Sequence, residues 1–546
     1  MINNKAKRGL LVVLGLIITS CSTSINSIQK IKSSNSLNSD SKTTNEMRVS
    51  DKNVRTFLTN EEFESLKKEY SGFKTLALSY EYLYRKVQKL LTYTDNGLYL
   101  TREIEFARVI HPSLLLQIYC DHPELYSASI IKPKVIERKT NDSIFNDYLV
   151  QLSCGANSGG GGSSGNEIQV SSSTNTHFNS KVAIDNDGDF VITWMSNSQD
   201  GDGYGIYGQR FNSNGTKNGS EFQVNTYTTG SQINSSVSMN GTGNFIVTWQ
   251  SEFQDSNSSG IFAQRYNSDG TPNGSEFQVN SYTTGYQGSP SVKINDNGDF
   301  VITWESNFQD GDSTGVYAQR YNSDGTPNGS EFRVNTYTTD YQSSPSVTIN
   351  NSGNFIITWL SHYQDGDSDG IFAQRFNSNG TPNGSEFQIN TYTTNYQVSP
   401  SISMLNSGNF VITWNSYNQD GDSSGVFAQR FNSNGIMQGS EFQVNTYTAN
   451  EQNFPSISTD ELGNFAITWL SYGQDSNGVG VHGQRYNSNG MPQGSEFRID
   501  SDSIGVARGY SNIAMNINGN FVVTWVSLLS NADVYAKRYD SNGNEL

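Results

Sequence analysis

Cysteine and histidine are scarce in this sequence. Only 3 cysteines and 5 histidines occur among 546 residues, so these side chains form no cluster with the spacing of a metal site. Three of the histidines, His177, His362 and His482, lie in the C-terminal part of the chain at unrelated places. The histidine content therefore gives no support to a catalytic assignment.

Basic residues are also few relative to acidic ones. The 35 lysines and arginines face 52 aspartates and glutamates, which gives a formal net charge of -17 at pH 7. Binding to nucleic acid is not expected, because neutralising phosphates requires clustered positive charge. Apolar residues make up only 34% of the chain, but aromatics reach 12%, with 29 Tyr and 28 Phe. This composition favours β-strands and a core built largely from aromatic rings.

Long hydrophobic runs are absent apart from one near the N-terminus. Basic residues at positions 5–8 precede an apolar stretch from 10 to 18, which is too short to cross a bilayer and predicts an export signal. The tetrapeptide Ile18-Thr19-Ser20-Cys21 resembles the lipobox of bacterial lipoproteins. The resemblance implies cleavage of residues 1–20 and acylation of Cys21. The alternative is an ordinary signal peptide with an incidental cysteine.

Acylation of Cys21 makes a lipid bilayer the first predicted partner. Each buried methylene of an acyl chain contributes about 0.8 kcal/mol, so several chains hold a protein firmly at a membrane. Ser22, in place of an aspartate, resembles the default signal for the outer membrane. The predicted location is the cell envelope, at the outer membrane or the cell surface.

Composition divides the region before residue 166 into three further segments. Residues 21–53 are rich in Ser, Asn, Thr and Lys, which predicts a disordered tether. Residues 54–154 show helical apolar spacing and are predicted to form a small helical or α+β domain. Residues 155–165 are a Gly/Ser linker. The predicted elements of the small domain are helices near 60–71, 74–92 and 101–119 and strands near 129–137 and 147–152.

Two cysteines, Cys120 and Cys154, fall within the predicted small domain. In an oxidising cell envelope an isolated pair forms a disulfide more readily than a metal site, since no further Cys or His completes a ligand set. Two free thiols are the alternative, and the sequence leaves both open.

The rest of the chain is a tandem repeat marked by tryptophan. Every tryptophan ends a motif of the type Gly-Asn-Phe-Val-Ile-Thr-Trp, and successive copies are 55 residues apart, or 56 for the last pair. A fixed period of this length over residues 166–546 indicates a repeat architecture with seven units. The seven tryptophans are Trp194, Trp249, Trp304, Trp359, Trp414, Trp469 and Trp525.

Each repeat has the pattern of four β-strands, here called a, b, c and d. In the third unit they are predicted at 289–294, 298–306, 315–322 and 330–335, with the tight-turn dipeptide Asn297-Gly298 between a and b. Strand b is apolar on both faces, so both faces must be covered. Each unit is predicted to be a four-stranded antiparallel sheet packed between two like itself.

The first and last units share one strand. The last unit ends after strand c, whereas a copy of strand d, Glu167-Ile168-Gln169-Val170, precedes the first strand a. When this N-terminal strand completes the last unit, seven full sheets close into a ring that leaves no exposed sheet edge. The predicted fold is all-β, a monomeric seven-bladed β-propeller closed by its N-terminal strand.

At the level of sequence, the repeats resemble those of large secreted bacterial proteins, often found beside haemolysin-type calcium-binding modules. The residues that carry the resemblance are Phe-Val-Ile-Thr-Trp, Gln-Asp-Gly-Asp and Gly-Ser-Glu-Phe-Gln-Val-Asn, and it covers residues 166–546. It implies a secreted or surface location but no defined activity, because a fold does not fix a function.

An arginine on strand c and a glutamate on strand d recur in every unit, as in Arg320 and Glu331. They fall nearly opposite each other around the c–d loop, which predicts one cross-strand ion pair in each blade. The predicted role of the glutamates is therefore structural and not catalytic.

Hairpin connectivity places the b–c and d–a loops on one rim of the ring and the a–b and c–d loops on the other. The b–c loops carry the acidic pattern Gln-Asp-Gly-Asp, whose alternate oxygen ligands suit Ca²⁺. Asp and Gly are also the residues that turns favour, so both interpretations stay open. A weaker second candidate is Asp185, Asp187 and Asp189 on the other rim. The candidate calcium ligands of the b–c loops are Asp200, Asp202, Asp310, Asp312, Asp365, Asp367, Asp420 and Asp422.

The d–a loops place tyrosines on the same rim as the acidic turns. Tyrosine rings with neighbouring Asp, Asn and Gln side chains are suited to binding a glycan or peptide at several equivalent sites. The candidate ligand-binding residues are Tyr227, Tyr282, Tyr286, Tyr337, Tyr341, Tyr392, Tyr396 and Tyr447.

The sequence predicts a surface-anchored, multivalent binding or adhesion module for glycan, peptide or another envelope component. A glycosidase with paired carboxylates is the alternative; residues 190–194 after Asp-Asn-Asp-Gly resemble the Asp-box of sialidases, whose arginine triad cannot be assigned here. Catalysis generally needs one asymmetric set of perturbed groups, whereas these units repeat their polar residues with few departures. A purely structural surface protein is the third option.

Overall fold

The computed structural model describes residues 91–94, 97–100, 167–474, 478–500, 508–527 and 532–546. Two short strands, β1 (Leu91–Thr94) and β2 (Gly97–Leu100), pair antiparallel. Residues 91 and 92 were expected to end a helix, and this part of the prediction is wrong. The segment Leu-Thr-Tyr-Thr is rich in residues that favour strands, and its pairing with β2 outweighs the helical spacing of the preceding apolar residues.

The other predictions for the N-terminal part lie outside the described residues. They concern the signal peptide with Cys21, the tether, the remaining elements of the 54–154 domain, Cys120, Cys154 and the Gly/Ser linker. Within the described ranges, no helix is both long enough and apolar enough to pass through a membrane.

From residue 167 onward the described chain forms seven four-stranded antiparallel sheets, in which a pairs with b, b with c and c with d. Blade 1 is β4 (His177–Ile184), β5 (Phe190–Asn197), β6 (Tyr204–Phe211) and β7 (Phe222–Gln223); blade 2 is β8 (Gln232–Met239), β9 (Phe245–Glu252), β10 (Ser259–Tyr266) and β11 (Phe277–Gln278). Blade 3 is β12 (Gln287–Ile294), β13 (Phe300–Asn307), β14 (Thr314–Tyr321) and β15 (Phe332–Arg333); blade 4 is β16 (Gln342–Ile349), β17 (Phe355–His362), β18 (Asp369–Phe376) and β19 (Phe387–Gln388). Blade 5 is β20 (Gln397–Met404), β21 (Phe410–Tyr417), β22 (Ser424–Phe431) and β23 (Phe442–Gln443); blade 6 is β24 (Gln452–Thr459), β25 (Phe465–Tyr472), β26 (Val479–Tyr486) and β27 (Phe497–Arg498). Blade 7 is β28 (Arg508–Met515), β29 (Phe521–Ser527), β30 (Asp533–Tyr539) and the N-terminal β3 (Ile168–Gln169).

The strand predictions for the third unit are confirmed, since each predicted end lies within two residues of the observed one. The predicted a–b turn is also present: Gly298 has a φ of 89°, and its N–H donates to the Asn295 carbonyl. A Cβ at this glycine would lie 2.9 Å from the Cβ of Ser323, so both the backbone conformation and the available space require glycine.

The ring closes through the N-terminal strand. Ile168 pairs with Ala536 and Gln169 with Tyr535, and the Val170 N–H donates to the Val534 carbonyl at 2.8 Å. The innermost strands of blades 7 and 1, β28 and β4, lie next to each other, as they do in every other adjacent pair of blades. The predicted seven-bladed β-propeller is therefore confirmed.

The core lies between the blades. In blade 3, Phe300, Ile302 and Trp304 face blade 2 and pack with its Ile246 and Ile261. Val301, on the opposite face of the same strand, packs with residues of blade 4 such as Trp359. All seven tryptophans are almost completely buried. Strand b is thus covered on both faces, as its apolar pattern predicts.

The predicted ion pair between strands c and d is wrong, as blade 3 shows. Ala318 lies opposite Phe332, so Glu331 is in register with Gln319, and Arg320 and Glu331 emerge on opposite faces of the sheet. Arg320 Nη1 donates to the Ser378 carbonyl of blade 4 at 2.7 Å. Glu331 accepts the N–H of Ser281 in blade 2 at 2.6 Å. The two side chains therefore link blade 3 to its two neighbours.

The arginine contact recurs in every blade and runs around the whole ring. Each strand c arginine donates to the carbonyl of a serine in the next c–d loop, and Arg538 of blade 7 donates to Ser213 of blade 1. A guanidinium that donates to a backbone carbonyl gives a directional, charge-assisted contact. These contacts hold adjacent blades at a constant spacing.

Candidate functional site

The b–c and d–a loops share one rim, here called the b–c rim. In blade 3, Asp312 Oδ2 accepts the N–H of Asp340 in the d–a loop at 3.2 Å, and equivalent bonds link these loops in blades 1, 4 and 5. On the opposite rim, the Ser323 N–H of a c–d loop donates to Asp299 of an a–b loop at 3.1 Å. The predicted assignment of loops to rims agrees with these contacts.

The aspartates of the b–c loops take part in turn structure. The first aspartate of each loop, such as Asp310, folds back over strand c. A Cβ added to Gly315 of that strand would lie 2.6 Å from the Oδ2 atom of Asp310. Burial raises the pKa of this carboxyl. The second aspartate of the loop, such as Asp312, accepts the backbone N–H of Asp340 in the d–a loop. Within the described ranges no group of three or more His, Cys, Asp or Glu side chains could hold a metal ion, and calcium binding stays a prediction.

The candidate site on the opposite rim has a similar structural role. Asp185 Oδ1 accepts the N–H of Asp189 at 2.8 Å, and Asp189 Oδ1 accepts the N–H of Ser213 at 2.7 Å. These bonds close the a–b turn of blade 1 and attach the neighbouring c–d loop to it. Asp and Asn are favoured in turns because of side-chain to backbone bonds of this kind.

The predicted tyrosines divide into two groups. Tyr227, Tyr282, Tyr337, Tyr392 and Tyr447 are half-buried in the d–a loops, where their carbonyls accept the side-chain amide of a strand d asparagine. The second group, Tyr286, Tyr341 and Tyr396, immediately precedes strand a in blades 3, 4 and 5. This inner group lies closer to the propeller axis, because strand a is the innermost strand of each blade.

Tyr341 belongs to a polar cluster at the inner edge of blade 4. Its hydroxyl donates to Asp369 Oδ1 at 2.8 Å, and His362 Nδ1 lies 2.6 Å from the same oxygen. The rings of Tyr341 and His362 stack with centroids 4.5 Å apart. Burial, and then the charge of Asp369, raises the pKa of Tyr341 far above its usual value, so the hydroxyl keeps its proton.

The cluster continues into blades 5 and 6. The ring of Tyr396, which is 41% exposed, meets Tyr417 edge to face with centroids 6.0 Å apart. Burial, and then the charge of Glu451, raises the pKa of Tyr417 well above its usual value. The neutral hydroxyls of Tyr341 and Tyr417 and the imidazole of His362 therefore lie at the inner edge of the rim in blades 4 and 5.

The sequence analysis did not identify three exposed aromatic side chains on this rim. Phe253, Phe308 and Tyr363 are 54%, 58% and 54% exposed, and each is the first residue of the b–c loop, in blades 2, 3 and 4. We call them the aromatic arc. Their spacing of 55 residues, which equals the period of the repeat, is the feature of the sequence that could have revealed them. The sequence alone does not distinguish them from core residues, because each directly follows the mainly apolar strand b.

The aromatic arc has an unfavourable backbone as well as an exposed surface. Phe253, Phe308 and Tyr363 have φ values of 61°, 60° and 55°, in the left-handed region that bulky residues rarely adopt. The equivalent residues of blades 1, 5 and 6 are Ser198, Asn418 and Gly473, which are small or tolerate this conformation. Strained backbone at ordered positions is concentrated at functional sites.

Other departures from the repeat gather at the same end of the blades. The last residue of strand b is His362 in blade 4, but Asn197, Glu252, Asn307 and Tyr417 in blades 1, 2, 3 and 5. The tryptophan three residues earlier is the same in all seven blades. The fold therefore fixes the interior of each strand b and leaves its b–c end to vary, which places the asymmetry of the ring on this rim.

No family model and no curated protein matches the chain. Several solved structures share its fold at low identity. A polysaccharide lyase family 25 ulvan lyase is 10% identical with a TM-score of 0.46, covering 69% of this chain and 96% of its own. The Hadza microbial sialidase Hz136 is 10% identical with a TM-score of 0.39, covering 62% and 73%. The α-L-arabinanase of Penicillium chrysogenum is 14% identical with a TM-score of 0.40, covering 58% and 94%. These neighbours act on glycans, and at such identities the likeness concerns the fold alone.

Proposed function

We propose that the propeller is a glycan-binding module whose ligand lies across the b–c rim of blades 2 to 4. The observation that carries this proposal is the aromatic arc of Phe253, Phe308 and Tyr363. Three rings that are more than half exposed and lie in a strained conformation, on three successive blades, give the fold little of the packing that a buried aromatic residue would give. Such rings offer flat apolar surfaces on which the apolar faces of sugar rings can stack.

Polar groups for the sugar hydroxyls lie beside the arc. The centroid of the Tyr363 ring lies 3.8 Å from that of His362, which connects the arc to the cluster of Tyr341 and Asp369. Imidazole and tyrosine hydroxyl groups can both donate and accept hydrogen bonds. A ligand that contacts the arc therefore also meets directional partners, which supports recognition of a particular sugar.

The charge of the rim favours a neutral glycan. Asp202, Asp312, Asp367 and Asp422 are exposed on this rim, and the chain as a whole carries a net charge of -17. Like charges repel an approaching uronate or sulfated sugar, and the repulsion weakens as salt increases. The arc lies along consecutive blades, so separate residues of one oligosaccharide can contact different rings and several weak contacts can act together.

The binding module is proposed to act at the cell envelope, anchored through acylated Cys21. This step rests on the resemblance of residues 18–21 to a lipobox. When the full chain is expressed in a bacterium fed labelled palmitate, we expect label on the protein and loss of label from Cys21→Ser. Cys120→Ser is the matched control and should keep the label. Equal labelling of wild type and Cys21→Ser would rule out this anchor.

Glycan binding is tested with the full chain on an array of neutral and acidic oligosaccharides. Phe308→Asn and Tyr363→Asn copy the residue that blade 5 carries at Asn418, so they keep the left-handed conformation while removing a ring. Each is expected to weaken the Kd for a retained neutral glycan roughly tenfold, from about 1.5 kcal/mol per stacked ring. Both variants should be at least as stable as wild type, because asparagine relieves backbone strain.

The matched control removes an exposed apolar side chain from the opposite rim. Ile436 is 60% exposed in the c–d loop of blade 5, and the equivalent residue of blades 1 to 4 is threonine. Ile436→Thr should leave the Kd unchanged. Retention of acidic glycans only, or binding that survives loss of both rings, contradicts the proposal. Turnover of a glycoside without retention of the ligand would favour a glycosidase.

A further inference from the structure

The central channel is lined by the seven a strands, which lie innermost and side by side around the axis. Serine hydroxyls on these strands bridge adjacent blades. Ser236 Oγ accepts the N–H of Val292 at 3.2 Å, and Ser291 Oγ accepts the N–H of Val347 at 3.3 Å. A hydroxyl that accepts one bond keeps its own proton for another acceptor. The wall of the channel can therefore donate hydrogen bonds to a guest.

Two lysines interrupt this hydroxyl wall. Lys181 of blade 1 occupies the position of Ser236 and Ser291, and Lys293 of blade 3 lies two residues further along its own strand a. Lys293 is exposed although Val292 beside it is buried, so its side chain reaches the open space between the a strands. Lys181 is half-buried on the same face.

Neither ammonium group has an ion-pair or hydrogen-bond partner in the described part of the chain. Enclosure by the surrounding blades lowers the pKa of Lys181 to about 8 and also lowers the pKa of Lys293. No neighbouring carboxylate offsets this effect at either lysine. A cation that has protein atoms around it and no counter-charge is in a less favourable state than a fully hydrated lysine, even where part of its side chain stays exposed to the channel.

Acidic and amide side chains at the a–b end of the channel are already engaged in hydrogen bonds with one another and with the backbone. At the a–b end of the channel, Asp296 Oδ1 accepts the N–H of Gly241 at 2.8 Å, and its Oδ2 accepts the Asn351 amide at 2.7 Å. At the positions of Lys181 and Lys293 the other six blades carry only serine, threonine, asparagine or alanine. A protein with a net charge of -17 thus keeps two positive charges, and no negative one, at these two levels of its channel.

We propose that the central channel binds a small oxyanion, with the ammonium groups of Lys181 and Lys293 as its charged contacts. Carboxylate, phosphate and sulfate share the required chemistry, a negative charge spread over oxygen atoms that accept several hydrogen bonds. The channel serines supply neutral donors around the two cations. This site is separate from the aromatic arc and does not depend on the ligand proposed for the rim.

The test uses the full chain and the anions themselves. Titration calorimetry and thermal unfolding are measured at pH 7 with sodium sulfate, phosphate or acetate, at an ionic strength held constant with sodium chloride. The site predicts saturable binding of at least one oxyanion above chloride, with a matching rise in the unfolding temperature. The three anions separate a preference for tetrahedral oxyanions from one for carboxylates.

Variants that copy other blades locate the site. Lys181→Ser and Lys293→Ser introduce the residue that blade 2 carries at Ser236 and Ser238. Each should weaken oxyanion binding at least tenfold while leaving the anion-free protein as stable as wild type or more so. Arg333→Gln is the control, since it removes an exposed charge outside the channel where blades 1, 2, 4 and 5 have glutamine.

Two results overturn the proposal. One is the absence of saturable binding by any of the three oxyanions at concentrations up to tens of millimolar. The other is binding that both serine variants retain in full, or that Arg333→Gln abolishes, because either outcome places the anion on the outer surface. A serine variant that fails to fold is replaced by Lys293→Met or Lys181→Met, which keep the length of the side chain.

Discussion

Deleting residues 167–171 is expected to open the ring at blade 7 and to remove a large part of the stability of the propeller. The deletion takes away strand β3, the buried side chain of Val170 and the hydrogen bonds of Val170 and Ser171 with Val534. Burial of a valine contributes about 2 kcal/mol and each hydrogen bond about 1 kcal/mol, so the direct loss is about 4 kcal/mol. This is a large fraction of the unfolding free energy of a typical domain, which is about 5–15 kcal/mol.

The deletion has a second expected consequence. Without β3, strand β30 becomes an uncovered sheet edge, and such edges pair with other chains. Denaturant unfolding should show a lower midpoint, and size-exclusion chromatography should show self-association. Val170→Ser tests the apolar contact alone and should cost part of the same free energy. Removal of four linker glycines, Gly159 to Gly162, is the control and should change neither measurement. An unchanged midpoint and an unchanged monomer after the deletion would contradict ring closure by this strand.

Glu305→Gln is expected to stabilise the propeller at neutral and alkaline pH. Glu305 is buried, and its carboxylate accepts the Ser289 hydroxyl at 2.6 Å and the Ser344 N–H at 3.2 Å. Burial raises its pKa from 4.5 to about 7. The folded protein therefore binds this proton more tightly than the unfolded chain does. Its stabilising contribution is complete below pH 4.5 and is lost as the pH rises through 7, a change of about 3 kcal/mol.

The other blades show that an amide fits this position. Gln250 and Asn415 replace Glu305 in blades 2 and 5, and Asn415 Oδ1 accepts the Phe454 N–H of the next blade at 2.9 Å. Denaturant midpoints should therefore converge for wild type and Glu305→Gln near pH 5 and diverge by pH 9. Glu461→Gln, on an exposed a–b loop, should follow wild type at both pH values. Equal pH dependence in Glu305→Gln and wild type would show that Glu305 does not titrate in this range.

The sequence was sufficient to predict the blades because side-chain alternation specifies strand pairing. Phe300, Ile302 and Trp304 on one face and Val301 on the other identify a strand that must have apolar neighbours on both sides. Asn297 and Gly298 then set the turn, and the surplus strand d at 167–170 indicated closure. Each of these signals acts over short distances or repeats seven times, so a single sequence suffices to detect it.

The sequence did not predict contacts whose partners change when the pairing of two strands shifts by one residue. Arg320 and Glu331 are close in sequence around the c–d loop, yet an offset of one residue places them on opposite faces of the sheet. The loop length alone did not reveal this offset. The result is that both residues contact neighbouring blades, a role that appears only when the packing of adjacent sheets is known.

The chemistry of the b–c rim was only partly visible in the sequence. Connectivity placed the tyrosines on this rim, but it did not separate buried Tyr286 from exposed Tyr396. His362 seemed isolated because its partner Asp369 lies seven residues later, across the b–c hairpin. The sequence also gave no sign that the aromatic arc is exposed, since an aromatic residue that follows strand b is expected to extend the buried face of that strand. Its left-handed backbone, which turns the chain outward, becomes evident only from the dihedral angles.

In blades 1 to 6, the left-handed position at the start of the b–c loop accepts different residues while the contacts that hold the ring together stay the same. Serine, asparagine, glycine, phenylalanine and tyrosine all occupy it in this one chain, while the arginine contacts between blades are the same in all seven. For the glycan-binding rim proposed above, a new ligand preference can therefore arise by exchanging single loop residues, one blade at a time, without a new scaffold. In the proposed binding module, the order of these loop residues around the rim, more than any single one of them, determines which ligand is bound.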